Sequence, residues 1–229
     1  PGNLTVPNPA LQSEYAWNAE LGTVLKLTDK LKIELNVFHT WLNNAITLRP
    51  YQFNGQDSVD FNGVKSRVQA LQNVSTATVW GVQTSVHYKI SRDIFIQSFA
   101  NWINGKETDD TKNMQVPLRH APPFYGNTNL RYSRDKLFIE FSAAYNGEVS
   151  ATDLALVEQA KTDIYAKDAD GKPYSPGWYT LNLKASYQVD PKTSFTAGWE
   201  NITNQRYRPY SSGIVAAGSN LIFAVRRSF

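Results

Sequence analysis

The sequence predicts an all-β fold, an antiparallel sheet of the kind that crosses a membrane as a segment of a transmembrane β-barrel. Three observations predict it. Apolar and polar residues alternate with a period of two through nine segments, the mark of half-buried strands. The connections between those segments alternate, short then long, without exception. The longest uninterrupted apolar run, Leu221 to Val225, has five residues, against about 20 for a membrane-spanning helix. That excludes a helical membrane protein and leaves a barrel open.

In the first segment (14–27), Tyr15, Trp17, Ala19, Leu21, Thr23, Leu25 and Leu27 share one face, while Glu14, Asn18, Glu20 and Lys26 share the other. The second (31–41) sets Leu31, Ile33, Leu35, Val37 and Trp41 against Lys32, Glu34, Asn36 and Thr40. The third (78–90) sets Trp80, Val82, Val86, Tyr88 and Ile90 against Gln83, Ser85, His87 and Lys89. Six more follow the same rule more loosely, over 94–104, 123–132, 137–147, 178–189, 193–203 and 219–229.

Turn chemistry closes the short connections at "TDK" (28–30), "SRD" (91–93), "SRDK" (133–136) and "DPK" (190–192). The long connections cover 45–76, 105–121, 148–177 and 205–218. A soluble β-sandwich also alternates apolar and polar residues. Loops of about 30 residues, however, far exceed the usual median of about 4–6 in a compact domain. A bacterial outer-membrane barrel predicts them: short periplasmic turns, long outer loops and tilted strands of about 9–11 residues or more. The apolar face then meets lipid and the polar face lines the lumen. Trp17, Trp41, Trp80, Trp102, Tyr132, Tyr145, Tyr179 and Tyr187 stand near strand ends, where interfacial aromatics gather.

Composition narrows the function. With 41% hydrophobic and 19% charged residues in 229, the chain can bury a sizeable surface, which excludes a disordered segment. The net charge of +3 comes from interspersed residues, with no basic run longer than Arg226–Arg227, so nothing points to nucleic acid. The absence of cysteine removes disulfides, thiolate metal sites and a cysteine nucleophile. His39, His87 and His120 lie in separate segments without zinc-site spacing. No nucleophile elbow or phosphate-binding glycine loop is present, so neither an enzyme nor a cofactor is expected. "DADG" (168–171) begins like a calcium loop, but Lys172 and Tyr179 break the pattern and an Asp-Gly turn is the expected reading. The sequons at Asn3, Asn73 and Asn201 would matter only in a eukaryotic secreted protein. The opening "PGNLTVPNPALQSEY" has no basic start and no apolar signal core, and reads as a loop entered from an earlier part of a longer chain.

Loops on a rigid scaffold are where ligand capture is expected. Tyr51 and Phe53 in "RPYQFNGQD", and Tyr165, Tyr174 and Trp178 in "DIYAKDADGKPYSPGW", offer aromatic faces that either stack on a ligand or pack the loops together. In "TDLALVEQA" (152–160), Thr152 is a candidate N-cap for a short helix, with Leu154 and Val157 spaced along one side.

Four stretches resemble, in order, the C-terminal barrel region of TonB-dependent outer-membrane receptors. They are "NPALQSEYAWNAELG" (8–22), "HAPPF" (120–124), "PGWYTLNLKASYQV" (176–189) and "WENITNQRYRPYSSGI" (199–214). Two departures are the Ala217–Gly218–Ser219 run, where that family commonly has Pro-Gly-Arg, and Arg227 at a lipid-side position that is usually apolar. The resemblance implies a 22-stranded barrel around a plug domain, importing a scarce nutrient with energy passed on by TonB. Residues 1–229 would then be the last nine strands of one barrel domain. The remainder of that barrel, its plug, TonB and outer-membrane lipids are the implied partners. Siderophore, haem, cobalamin, glycan and peptide are all compatible cargoes.

On this reading Glu20, Lys26, Glu34, His87, Lys89, Arg131, Glu140, Lys184 and Glu200 have lumen parity. They either contact plug and substrate or compensate one another's charge. Two rival functions are a receptor-like barrel that docks protein partners in an outer-membrane assembly, and a soluble all-β binding module. At the end of the chain, Leu221, Phe223, Val225 and Phe229 share the lipid parity, which resembles a barrel-assembly signal. A charge near the interface costs only about 0–1 kcal/mol and its stem can snorkel, so deleting Phe229 is expected to impair assembly more than Arg227→Ala. Equal membrane levels of the two variants would contradict this.

Overall fold

The computed structural model describes residues 2–73, 76–109, 114–161 and 163–229. Val74 and Ser75 of the Asn73 sequon, parts of three long connections, and the Val157 side chain lie outside the described residues. The chain starts with β1 (Gly2–Thr5), β2 (Tyr15–Lys26), β3 (Leu31–Asn43), β4 (Ile46–Pro50), β5 (Ser58–Phe61) and β6 (Val64–Asn73). It continues with β7 (Thr76–Lys89), β8 (Ile94–Asp109), β9 (Met114–Pro117), β10 (Tyr125–Arg134) and β11 (Leu137–Asn146). The short helix α1 (Leu156–Gln159) precedes β12 (Ala166–Lys167), β13 (Pro173–Tyr174), β14 (Trp178–Asp190), β15 (Thr193–Glu200) and β16 (Asn220–Arg227).

All nine segments expected from period-two alternation are strands, and they lie in one sheet ordered β16-β15-β14-β11-β10-β8-β7-β3-β2, with β9 added beside β8. A sandwich needs two packed layers; these strands form one continuous, open ladder. Its register sorts the side chains as the alternation predicts. Leu130, Phe141, Leu183, Trp199 and Leu221 stand in one row, and Arg131, Glu140 and Lys184 in the row beside it. The apolar row is solvent-accessible: Trp17 is 71% exposed, Leu21 76% and Phe223 76%, a surface no water-soluble sheet face would leave uncovered. The last strand is shorter than its alternation implies. It ends at Arg227, paired with Thr193, and Phe229 lies beyond the ladder, fully exposed.

Contacts divide the chain into two units: residues 1–19, 39–79 and 105–116, and residues 20–38, 80–104 and 117–229. In the first, the long connection at 45–76 carries the strands β4, β5 and β6 where the sequence suggested loop. β6 pairs with β4 and β5 antiparallel and with β1 parallel, over a small core of Val6, Val68 and Ala70. Two Asn-Gly turns shape it. Asn54 and Gly55 have φ of 52° and 77°, Asn62 and Gly63 have 54° and 76°, the left-handed pair that two-residue hairpin turns require. Asn8 and Glu14 of the "NPALQSEY" stretch act here as ties: Asn8 Nδ2 donates to Leu71 O (2.9 Å) and Glu14 Oε2 accepts from Ile46 N (2.7 Å).

The second unit keeps its core outside the ladder, in the segment between β11 and β14. Val149, Leu154 and Tyr165 are buried there, with Ile164 and Tyr210 packed on them. The Thr152 cap does not form. Ser150 Oγ takes up the Thr152 hydroxyl at 2.8 Å, and α1 starts at an N-cap of Ala155 without a side-chain cap.

Candidate functional site

The residues with a chemical arrangement gather in the loops of the second unit. Glu158, on α1, has no solvent exposure. Three donors converge on its carboxylate: Arg119 Nε at 2.6 Å, Lys161 Nζ at 2.8 Å and the Tyr165 hydroxyl at 2.7 Å. His120 Nε2 lies 3.6 Å away. Burial pushes the Glu158 carboxyl up, but hydrogen bonds from Lys161, Tyr165 and Arg119 outweigh it and bring it down to about 2. Burial, and then the bond to this carboxylate, push the Tyr165 phenol well above its ordinary value. The result is a charged clasp joining the segment before β10 to the segment between β11 and β14.

A second set of bonds ties in the connection between β15 and β16. Arg208 Nη1 donates to the carbonyls of Asp163 (2.7 Å) and Ile164 (3.1 Å). Asn201 organises that connection from a left-handed conformation (φ 46°). Its backbone N–H donates to Asn182 Oδ1 (2.8 Å), its Nδ2 to the carbonyls of Gln205 (2.9 Å) and Ala217 (3.1 Å), and its Oδ1 accepts from Gln205 N (2.9 Å). The sequon reading missed this role; the "NITN" run, rich in residues that tolerate left-handed φ, was the signal that could have found it.

Between these segments opens a cleft of about 380 Å³, lined by Ile164, Tyr165, Pro176, Trp178, Arg206 and Tyr207 among others. Trp178 stacks on Tyr207 with ring centroids 4.1 Å apart. Its buried indole N–H has no hydrogen-bond partner among the described residues. Arg206 is exposed and makes no ion pair among the described residues. Of the aromatic candidates, Trp178 and Tyr165 therefore line one cleft, although Tyr165 is only 6% exposed. Tyr174 lies in the β12–β13 hairpin, paired with Ala166. Tyr51 packs on the Val6–Val68–Ala70 core of the first unit, and Phe53 is exposed in the Asn-Gly turn beside it, bridged to Gln56. "DADG" is a turn: Asp168 Oδ1 accepts from the N–H groups of Asp170 (2.9 Å) and Lys172 (2.8 Å).

The polar face of the sheet is largely self-paired. Asn36 Nδ2 donates to Glu20 (2.7 Å) and Gln83 (3.5 Å), Lys32 pairs with Glu34 (2.6 Å), and His87 meets Ser85 (3.3 Å). Arg131 pairs with Glu140, bonds Gln97 at 3.2 Å and stands 5.6 Å from the Phe95 ring centroid. Lys184 is the register partner of Glu140, and Glu200 that of Asn220. His39 stands on the apolar face, stacked on Trp41 at 4.0 Å.

An open antiparallel sheet with an apolar outer face, a self-paired polar face and long structured loops at one end defines a wall segment of a receptor-type β-barrel. The family model for the TonB-dependent receptor-like β-barrel matches residues 1–202, and the chain belongs to that family of outer-membrane receptors and transporters. No curated protein matches it in sequence. Among solved structures, it is similar to the copper transporter OprC (16% identity, TM-score 0.70, covering 96% of this chain and 32% of that one). It is likewise similar to a mutant of the ferric enterobactin receptor PfeA of Pseudomonas aeruginosa (15%, 0.69, 97% and 32%). The FrpB iron transporter of Neisseria meningitidis gives 13%, 0.69, 99% and 33%. The chain thus spans about a third of the length of each.

Proposed function

We propose that this chain is the C-terminal wall of an outer-membrane receptor that imports a metal-bearing chelate, its loops forming part of the capture surface. The rest of the barrel and a plug come from the remainder of the same protein, and TonB supplies the energy. The observation that carries the cargo class is the cleft: a stacked Trp178–Tyr207 pair beside an Arg206 that makes no ion pair among the described residues. Aromatic faces with a nearby cation suit a planar, anionic chelate of the catecholate type. The names of the similar structures, which speak of copper, ferric enterobactin and iron, agree with a metal-bearing cargo. The chain's single Met and lack of Cys offer little soft ligation for a bare copper ion, so a chelate is the better fit.

The full-length receptor, inserted in liposomes, should bind a ferric catecholate siderophore with a Kd raised about tenfold by Trp178→Ala. Arg206→Gln should weaken binding less and remove part of its salt dependence. Unchanged affinity in both variants would place capture elsewhere and overturn this reading.

A further inference from the structure

Charge is unevenly spread along the strands. Segments 26–32, 89–93, 134–136 and 190–192, with Arg226 and Arg227, hold ten basic against four acidic side chains, while the rest of the chain holds thirteen against sixteen. Backbone bonds link these segments in series. Lys89 N donates to Lys30 O (2.8 Å), Ser133 N to Asp93 O (2.8 Å), Gln188 N to Lys136 O (2.9 Å) and Ser228 N to Lys192 O (2.9 Å). The cations therefore form one belt along the short-turn end of the sheet.

Little inside the belt neutralises it. Among the described residues, Arg134 has the exposed Asp135 at 3.8 Å, and the Asp190 carboxylate accepts the Lys192 backbone N–H at 2.8 Å and attracts Lys136. Among the described residues, Lys30, Arg92, Lys192 and Arg227 make no ion pair. Just inward stand Tyr88, Tyr132 and Tyr187 on the apolar face. Tyr132 is the register partner of Ile139, and Tyr187 that of Leu137 and Phe195. Along β10 the outer face thus runs from Leu130 to Tyr132 to Arg134, and Tyr88 and Tyr187 stand at the same level of β7 and β14. Hydrocarbon, interface and headgroup follow one another in the same order across a leaflet.

We propose that Lys30, Arg92, Arg134, Lys192 and Arg227 bind the phosphate groups of anionic phospholipids, phosphatidylglycerol or cardiolipin, in the periplasmic leaflet. The lumen-parity cations Lys26, Lys32, Lys89 and Arg226, and Lys136, whose Nζ donates to Val189 O at 2.9 Å, are not part of this surface. The proposal rests on the membrane-spanning reading of the chain.

The test uses the full-length receptor in nanodiscs of phosphatidylcholine doped with phosphatidylglycerol, with retained lipids counted by native mass spectrometry. Wild type should retain phosphatidylglycerol over phosphatidylcholine by about fivefold or more, less at high salt. A Lys30→Gln, Arg92→Gln, Arg134→Gln, Arg227→Gln variant that still runs as a heat-modifiable folded barrel should lose most of that preference. Arg92→Lys with Arg134→Lys should keep it. No preference in wild type, or the same preference in the glutamine variant, overturns the proposal. Failure of the wild-type receptor to enter bilayers would instead overturn the spanning reading.

Discussion

Glu158→Ala is expected to release the loop cluster of the second unit, costing its closed form about 2–3 kcal/mol while leaving the strand ladder intact. The carboxylate is fully buried and receives Arg119, Lys161 and the Tyr165 hydroxyl within 2.8 Å. Its removal leaves two cations and a phenol without their acceptor, beside the Val149–Leu154–Tyr165 core. Breaking a buried pair costs about 3–5 kcal/mol. Arg119 and Lys161 keep part of their hydration, with 49% and 33% side-chain exposure, which lowers the figure. Hydrogen exchange followed by mass spectrometry should show faster exchange in 150–165 and 205–216 and none in β10 or β11. Unchanged loop protection would show that the clasp holds nothing.

The pH dependence follows from the same geometry. The Glu158 carboxyl is held at about 2, below its ordinary 4.5. The charged form is thus favoured in the folded loops, and its contribution is fully present above the ordinary value. It is lost only as pH falls from there through about 2. Loop protection, corrected for intrinsic exchange, should stay level from neutral pH to about 5 and then fall; in Glu158→Gln the acid-dependent part should vanish.

The strand ladder was legible because its signal is local. A residue's partner in a meander is nearby, and period-two alternation assigns both its state and its face. The four-stranded sheet was hidden for the opposite reason. β1 and β6 pair in parallel across some sixty positions, Gly2 with Ser66, and no local pattern reports such a contact. The Asn54–Gly55 and Asn62–Gly63 dipeptides mark its hairpins, inside the stretch that the alternation leaves as one long connection. Site residues divide along the same line. Trp178, which the sequence offers as a loop aromatic, opens β14 and lines the cleft, whereas the clasp joins Arg119 to Glu158 over 39 positions. Arg119 and Glu158 look in the sequence like two more solvated charges. Tyr165, 6% exposed, shows that residue type alone does not separate an open loop ring from a core one.

Gly126→Val is expected to be the most damaging single change in the ladder, at about 3 kcal/mol, with a strong loss of assembled protein in the outer membrane. Gly126 pairs with Ala100 on one side and Tyr145 on the other. A Cβ there would meet Phe99 O at 2.4 Å and the Tyr145 ring at 2.6 Å. The Tyr145 ring lies over the glycine, its hydroxyl reaching Phe99 O at 3.4 Å and Thr128 Oγ1 at 3.4 Å. A larger residue must push away the tyrosine and also part a backbone ladder, which unlike a flexible side-chain tip has no free space to move into. Gly126→Ala should show a weaker form of the same defect. Tyr145→Ala removes the ring but not the carbonyl clash, so Gly126→Val in that background should recover only in part. Heat-modifiable mobility of the full-length receptor, with its level in the outer membrane, measures the effect. Wild-type levels of Gly126→Val would mean that β8 and β10 do not approach as closely as their register requires.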